Sequence, residues 1–141
     1  MTRVYWDSML FIYMLEGNPV FGPKVGKILS QVTNRGDTLS TSVFSIGEIL
    51  TGPQRKGLIS GVHAVKKYFS SGAVEVLPFT ETTSERYSII RGANRVSQAD
   101  GIHLACAAEA GVDIFFTNDR DLRRLSIPGI KFFADLDGKV I

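Results

Sequence analysis

The tightest constraint on this chain is a junction near its start. Val4, Tyr5 and Trp6 run straight into Asp7 and Ser8, and an apolar run over residues 9–15 follows with no linker. The pattern predicts a buried strand, an abrupt stop and a helix that begins at once. An acid at the carboxyl end of a strand, facing a helix N-terminus, lies where open α/β sheets place their ligands. Asp7 has a plainer reading as well, because Asp and Ser are both good helix N-caps. Deciding between the two depends on whether other acids reach the same place.

The rest of the chain alternates in the same way. Val25, Ile28, Leu29 and Val32 recur at helical spacing, with Lys24, Lys27, Gln31 and Arg35 facing outward, and Gly36-Asp37 ends that helix. Residues 38–41 read as a second strand. A helix capped by Ser42 or Ser45 then carries Phe44, Ile46, Glu48, Ile49 and Leu50, and Gly52-Pro53 is expected to break it. Residues 54–60 read as a polar, basic connection or weak helix, 62–68 as a helix, and 74–77 as a strand closed by Pro78. A helix is expected over 80–96, with Thr80 or Thr82 near its cap. Ser97 caps the next, which ends at Gly111. Residues 113–117 form a fourth strand whose run Ile114-Phe115-Phe116 suits a buried parallel position. A short basic helix and a last strand over 130–133 follow, and the tail from 134 gives no clear signal. Strands alternating with helices predict a single α/β domain over residues 1–141, a parallel sheet with helices on both faces.

Composition narrows the function classes. A net charge of +2 is too mild to argue for nucleic acid by itself. The one cysteine, Cys106, excludes an internal disulfide and any multi-cysteine metal site, and its neighbours Leu104, Ala105, Ala107 and Ala108 predict a buried, unreactive thiol. Residues 9–15 are too few to span a bilayer, and the start leads directly into a strand without a secretory signal. No membrane association and a cytoplasmic setting are therefore expected.

The chemistry lies in the placement of the acids. Asp7 ends the first strand and Asp119 ends the fourth; in a parallel sheet both strand ends lie on one edge. Glu48 and Asp100 sit in the first turns of helices. Each has a local alternative: Ser45 with Glu48 fits a capping box, Asp100 opposes a helix dipole, and Asp121 pairs with Arg120 or Arg124 on the surface. Carboxylates packed together repel unless a cation offsets them, and Mg²⁺ prefers carboxylate oxygens and retained waters. His63 reads as an ordinary helix residue. His103, three residues past Asp100, reads as packing or as support for the acids.

With these residues in place the chain resembles the PIN-domain nucleases, and in size the VapC-like toxins of type II toxin–antitoxin pairs. The matching pieces, in order, are V-Y-W-D-S (Asp7, Ser8), S-I-G-E-I (Glu48), A-D-G-I-H-L-A (Asp100) and F-T-N-D-R-D-L (Thr117, Asp119, Asp121). The resemblance covers essentially the whole chain. It implies a three-layer α/β/α sandwich on a five-stranded, mainly parallel sheet. It also implies a Mg²⁺- or Mn²⁺-dependent endoribonuclease whose catalytic acids are Asp7, Glu48, Asp100 and Asp119. Asp7, Asp100 and Asp119 would hold the metal, and Glu48 would orient or deprotonate the attacking water. Ser8, Thr117 and Asp121 would support the site, and the expected products are a 3′-hydroxyl and a 5′-phosphate. Gly101 departs from the alanine more usual there and is expected to loosen its helix.

RNA phosphates need cationic guides. Arg120, Arg123 and Arg124 follow the acids directly, and Arg91, Arg95, Arg55 and Lys56 are further candidates. The expected partners are RNA, a cognate antitoxin and a second copy of the chain in a homodimer. Met9, Phe11, Ile12, Met14, Phe44 and Ile46 are apolar enough for a docking groove or for core packing. The alternatives are a non-toxin PIN ribonuclease of RNA processing and a catalytically silent RNA- or protein-binding module. A haloacid-dehalogenase-type phosphatase would need an acid where Met9 stands, and a receiver domain would need one at Pro78-Phe79.

Overall fold

Tyr5 and Trp6 are both fully buried, yet they belong to different cores. Successive strand residues point to opposite faces of a sheet, so β1 (Arg3–Trp6) has helices packed on both sides. The computed structural model of the chain describes residues 2–138. Residues 1 and 139–141, the ends of the expected 1–141 domain, lie outside the described residues.

Five parallel strands form one sheet in the order β3-β2-β1-β4-β5, with β2 at Thr38–Ser42, β3 at Glu75–Leu77, β4 at Ile114–Phe116 and β5 at Phe132–Ala134. One face packs on α1 (Ser8–Leu15), α2 (Phe21–Arg35), α3 (Val43–Arg55) and α4 (Ile59–Ser70). Their contributions include Leu10, Phe11, Val25, Ile28, Ile49, Val65 and Phe69, against Val4 and Trp6 of β1. The other face packs on α5 (Glu81–Ala93), α6 (Gln98–Ala110) and a 3₁₀ turn at Leu122–Arg124. This is the expected α/β/α sandwich. Among the described residues no helix is long and apolar enough to cross a membrane.

Local chemistry accounts for most element ends. Asp7, Ser42, Thr80 and Ser97 each accept a backbone N–H as N-caps. Gly36 and Gly111 take left-handed conformations after α2 and α6. The expected break at Gly52-Pro53 does not occur, and α3 runs on to Arg55. Proline there removes only the bond to the carbonyl four residues back, in the last turn. Its own carbonyl accepts from Leu58 N–H at 2.9 Å, so the connection to α4 shrinks to three residues, 56–58. Conversely α5 stops at Ala93, short of 96, because Asn94 is extended. The last strand forms at Phe132–Ala134 rather than 130–133, since pairing with Ile114–Phe116 sets its register.

Helix α6 is buried nearly all round, as a central helix should be. Cys106 lies within it, 1% exposed, and burial pushes its thiol up to about 11, so it is inert packing as expected. The end of α6 is crossed closely by Gly129. That glycine has φ +101°, and a Cβ on it would lie 2.5 Å from the Ala108 carbonyl oxygen. Gly129→Ala is therefore expected to destabilise the protein by about 2–4 kcal/mol, from the backbone conformation and the clash together. Urea unfolding measures this; a midpoint equal to the parent's would contradict the packing.

Candidate active site

In the sheet order, β1 to β3 build outward in one direction, after which the chain returns to β4 on the other side of β1. The carboxyl ends of β1 and β4 flank the point where the winding reverses, and such crevices take ligands in open α/β sheets. Pairing of Trp6 with Phe116 brings Asp7 level with Thr117. The Thr117 hydroxyl donates to Asp7 Oδ2 at 2.9 Å, while Asp7 Oδ1 accepts from Met9 N–H at 3.2 Å. Asp7 is thus both a helix cap and a member of the strand-end cluster.

One pocket is lined by Asp7, Asp100, Asp119, Thr117, Asn118, Met9 and Tyr13. Three of the four expected acids therefore share it. Asp100 arrives as the third residue of α6, its N–H capped by the Ser97 hydroxyl at 3.1 Å. Asp119 is held by a local turn: its N–H donates to Thr117 Oγ1 at 3.1 Å, and its Oδ1 accepts from Asp121 N–H at 2.8 Å. Tyr13 and Asn118 were not singled out from the sequence. Asn118 stands between Thr117 and Asp119, and Tyr13 lies one helical turn beyond Met9, so spacing alone carried the signal.

Glu48 is not among those lining residues. The capping box with Ser45, the local alternative for Glu48, does not form, because Ser42 is the N-cap and accepts Ser45 N–H at 3.2 Å. Glu48 Oε1 instead lies 2.6 Å from His103 Nε2. Burial works to raise the Glu48 carboxyl, but the His103 hydrogen bond and charge, with the Ser8 hydroxyl, hold it below the usual range. His103 is 3% exposed, and its Nδ1 lies 2.7 Å from the Tyr5 hydroxyl. Packing and support, posed as alternatives from the sequence, coincide in this one ring.

The cationic candidates divide. Arg120 and Arg124 are exposed, whereas Arg123 is partly buried and donates from Nη1 to the Thr117 carbonyl at 3.1 Å. Arg91 donates to the Tyr87 hydroxyl and the Val96 carbonyl. It also lies against Gly101, where a Cβ would sit 2.9 Å from Tyr87 and 3.0 Å from Arg91. Gly101 thus admits close contact between α5 and α6, a packing reason that the expected loosening did not include. Asp121 is exposed and does not line the pocket. The apolar set also disperses. Phe11 is core, Met9 lines the pocket, and Phe44 shares a hollow with Val43, Phe79 and Ile102. Ile12 lines a groove with Leu15, Ile49, Pro53, Leu58 and Val65.

The pocket offers only oxygen donors from its acids, Thr117 and Asn118, a set suited to a hard divalent cation. Among the described residues no three His, Cys, Asp or Glu side chains are grouped closely enough to hold a metal by themselves. The donor chemistry fits Mg²⁺ or Mn²⁺ that keeps several waters, the usual state of protein-bound Mg²⁺.

Burial pushes the Asp7 carboxyl up to about 6, against the charge of His103, the Thr117 hydroxyl and the N–H groups of Leu10 and Met9. A carboxyl whose folded pKa exceeds its unfolded value binds protons on folding. Its ionisation then costs stability as pH rises from about 4 to about 6. Asp7→Asn is therefore expected to be more stable than the parent above that window, by about 3 kcal/mol, and equal to it below. Chemical denaturation at acid and neutral pH measures the difference; equal stabilities at neutral pH would contradict it. For Gly101→Ala, the gain of about 1 kcal/mol usual for Gly-to-Ala in a helix is expected to be absent, because Tyr87 and Arg91 must move.

No curated protein sequence matches the chain. Solved structures match it closely in fold. VapBC2 from Rickettsia felis, bound to a DNA fragment from its promoter, aligns with a TM-score of 0.75 at 14% identity, over 95% of this chain and 98% of that one. VapC20 of Mycobacterium tuberculosis, a toxin that cleaves the sarcin–ricin loop, aligns at 0.68 and 16% identity, covering 84% and 91%. VapBC-1 from nontypeable Haemophilus influenzae aligns at 0.67 and 16%, covering 96% and 98%. At these identities the likeness establishes the fold. The PIN domain family itself matches residues 4–128, and with nearly the whole chain covered, this protein belongs to the PIN domain family.

Proposed function

We propose that this protein is a divalent-metal-dependent endoribonuclease and the toxin of a type II toxin–antitoxin pair. The observation that carries the reading is the convergence of Asp7, Asp100 and Asp119 on one pocket at the winding reversal of a PIN sheet. The toxin role is supported by fold relatives that are VapBC pairs and a toxin that cuts RNA.

Asp7, Asp100 and Asp119 are the residues that would hold the cation. Bound there, Mg²⁺ or Mn²⁺ supplies positive charge for the phosphate oxygens and makes water more acidic. The protein's own groups do the rest. Thr117 fixes the Asp7 carboxylate through its hydroxyl. Asp119 is held by its turn, so the strand-end acids meet substrate already oriented. Glu48, kept ionised, orients water for in-line attack and takes its proton, leaving a 3′-hydroxyl and a 5′-phosphate. Arg120 and Arg124, exposed beside the acids, guide the RNA backbone. Arg123 shapes the loop that carries Asp119. An antitoxin would seat an apolar segment in the groove lined by Ile12, Leu15, Ile49 and Leu58. The protein would act as a homodimer in the cytoplasm.

The test is cleavage of a panel of structured RNAs with Mg²⁺ or Mn²⁺, with chelator as control. Asp7→Asn and Asp100→Asn are expected to fold and to lose at least about 100-fold in rate. Variants that cut as fast as the parent would overturn the assignment. Induced expression that leaves growth unaffected would overturn the toxin role while leaving the nuclease chemistry standing.

A further inference from the structure

The Glu48 carboxylate is not oriented by its own helix, since the capping box that would have anchored it is absent. Its fixed partner comes from the central helix α6, 55 residues away in the chain. We propose that His103 is a positioning residue that holds the Glu48 carboxylate in its working orientation, with the Tyr5 hydroxyl locking the imidazole from behind. The proposal rests on the nuclease reading and adds to it a residue that touches neither metal nor RNA.

The ionisation of Glu48 determines the direction of its bond. An ionised carboxylate only accepts hydrogen bonds, so the 2.6 Å contact requires the proton to be on His103 Nε2. If the ring is neutral, Nδ1 accepts from the Tyr5 hydroxyl at 2.7 Å, with Ser45 Oγ also facing it at 3.5 Å; if the ring is charged, Nδ1 donates and the Tyr5 hydroxyl accepts, so Tyr5 holds the imidazole in either state. Burial raises the pKa of Tyr5, which keeps that hydroxyl protonated. Tyr5 is itself immobile: it is fully buried and stacked on Phe115 at 4.9 Å between ring centroids. Phe44 closes a third side, edge-on to the imidazole at 5.7 Å. The ring cannot turn without breaking one of its two short bonds. A strand-centre tyrosine is thereby connected through one histidine to the Glu48 carboxylate.

A residue that merely fills the core would be replaceable at the cost of stability alone. A positioning residue changes turnover through Glu48 specifically. The experiment compares His103→Ala, His103→Gln, Glu48→Gln and the double variant His103→Ala/Glu48→Gln for kcat, KM and unfolding midpoint. Outer partners of catalytic groups usually contribute about 10–100-fold, so His103→Ala is expected to lose kcat in that range with KM little changed. His103→Gln, whose amide can donate to Glu48, should recover most of the loss. In the Glu48→Gln background, His103→Ala should cost nothing further, because the two act as a unit. Parental kcat in His103→Ala, no recovery with Gln, or losses that multiply in the double variant would each overturn the proposal.

Two further measurements cover a His103→Ala protein that does not fold. Tyr5→Phe keeps the stacked ring and removes only the hydroxyl, and it should lower kcat without shifting KM; parental kcat would count against the lock. Long-range ¹H–¹⁵N spectra of the metal-free parent should show His103 with a protonated Nε2, and that signal should move in Glu48→Gln. A bare Nε2 would overturn the proposal independently of any activity. A parent that cuts no RNA, or a Glu48→Gln protein that cuts like the parent, would instead remove the nuclease role assigned above.

Discussion

The architecture depends on β1 running parallel between β2 and β4. That pairing places the two cores on either side of Tyr5 and Trp6 and makes the carboxyl ends of β1 and β4 neighbours. Because the chain winds away from β1 in one direction and returns on the other, no crossover helix covers the gap between those ends. Asp7 and Asp119 leave their strands at this uncovered edge, and α6 brings Asp100 to the same opening. The pocket is a consequence of topology, and the acids are the use made of it.

Behind the pocket lies an unusually polar interior. Ser40, Thr41, Ser42 and Ser45 are fully buried, as is Tyr5, with His103 nearly so. Buried polar groups are costly unless bonded, and here each finds a partner. Ser40 and Thr41 donate to the β1 carbonyls of Val4 and Trp6 at 2.7 Å, and the Ser42 hydroxyl accepts from Ser45 N–H. The first two bonds tie β2 to β1 by side chains in addition to the backbone ladder, and the third caps α3 on the end of β2. Ser45 Oγ also lies 3.5 Å from His103 Nδ1, which joins this network to the Tyr5–His103–Glu48 line. A network of this kind rigidifies the scaffold behind the candidate site.

Much of the fold was legible. Four of the five β-prone segments, the caps at Ser97 and Thr80, and the stops at Gly36 and Gly111 stand where the structure has them to within a residue or so, because their causes are local. Element ends that depend on neighbours moved. Pro53 stayed inside its helix since only one bond was lost, and β5 shifted to meet β4. Of the acids, Asp7, Asp100 and Asp119 were legible through strand and helix ends. For Glu48 the local pattern offered Ser45, three residues away, as an alternative partner, whereas its partner in the structure lies on α6. Arg123 likewise read as a surface cation until Thr117 supplied a carbonyl for it.

The sequence by itself determined the alternation of strands and helices, the parallel sheet and the positions of acids at element ends, because periodicity, caps and turn residues act within a few residues. Only the tertiary structure decided which of those ends meet. Strand order put Asp7 beside Thr117, packing of α6 put His103 between Tyr5 and Glu48, and the close approach of α5 made Gly101 a contact point. These are long-range pairings. They are set by how two cores close over one sheet, and no local pattern encodes the distance between residues fifty or a hundred positions apart.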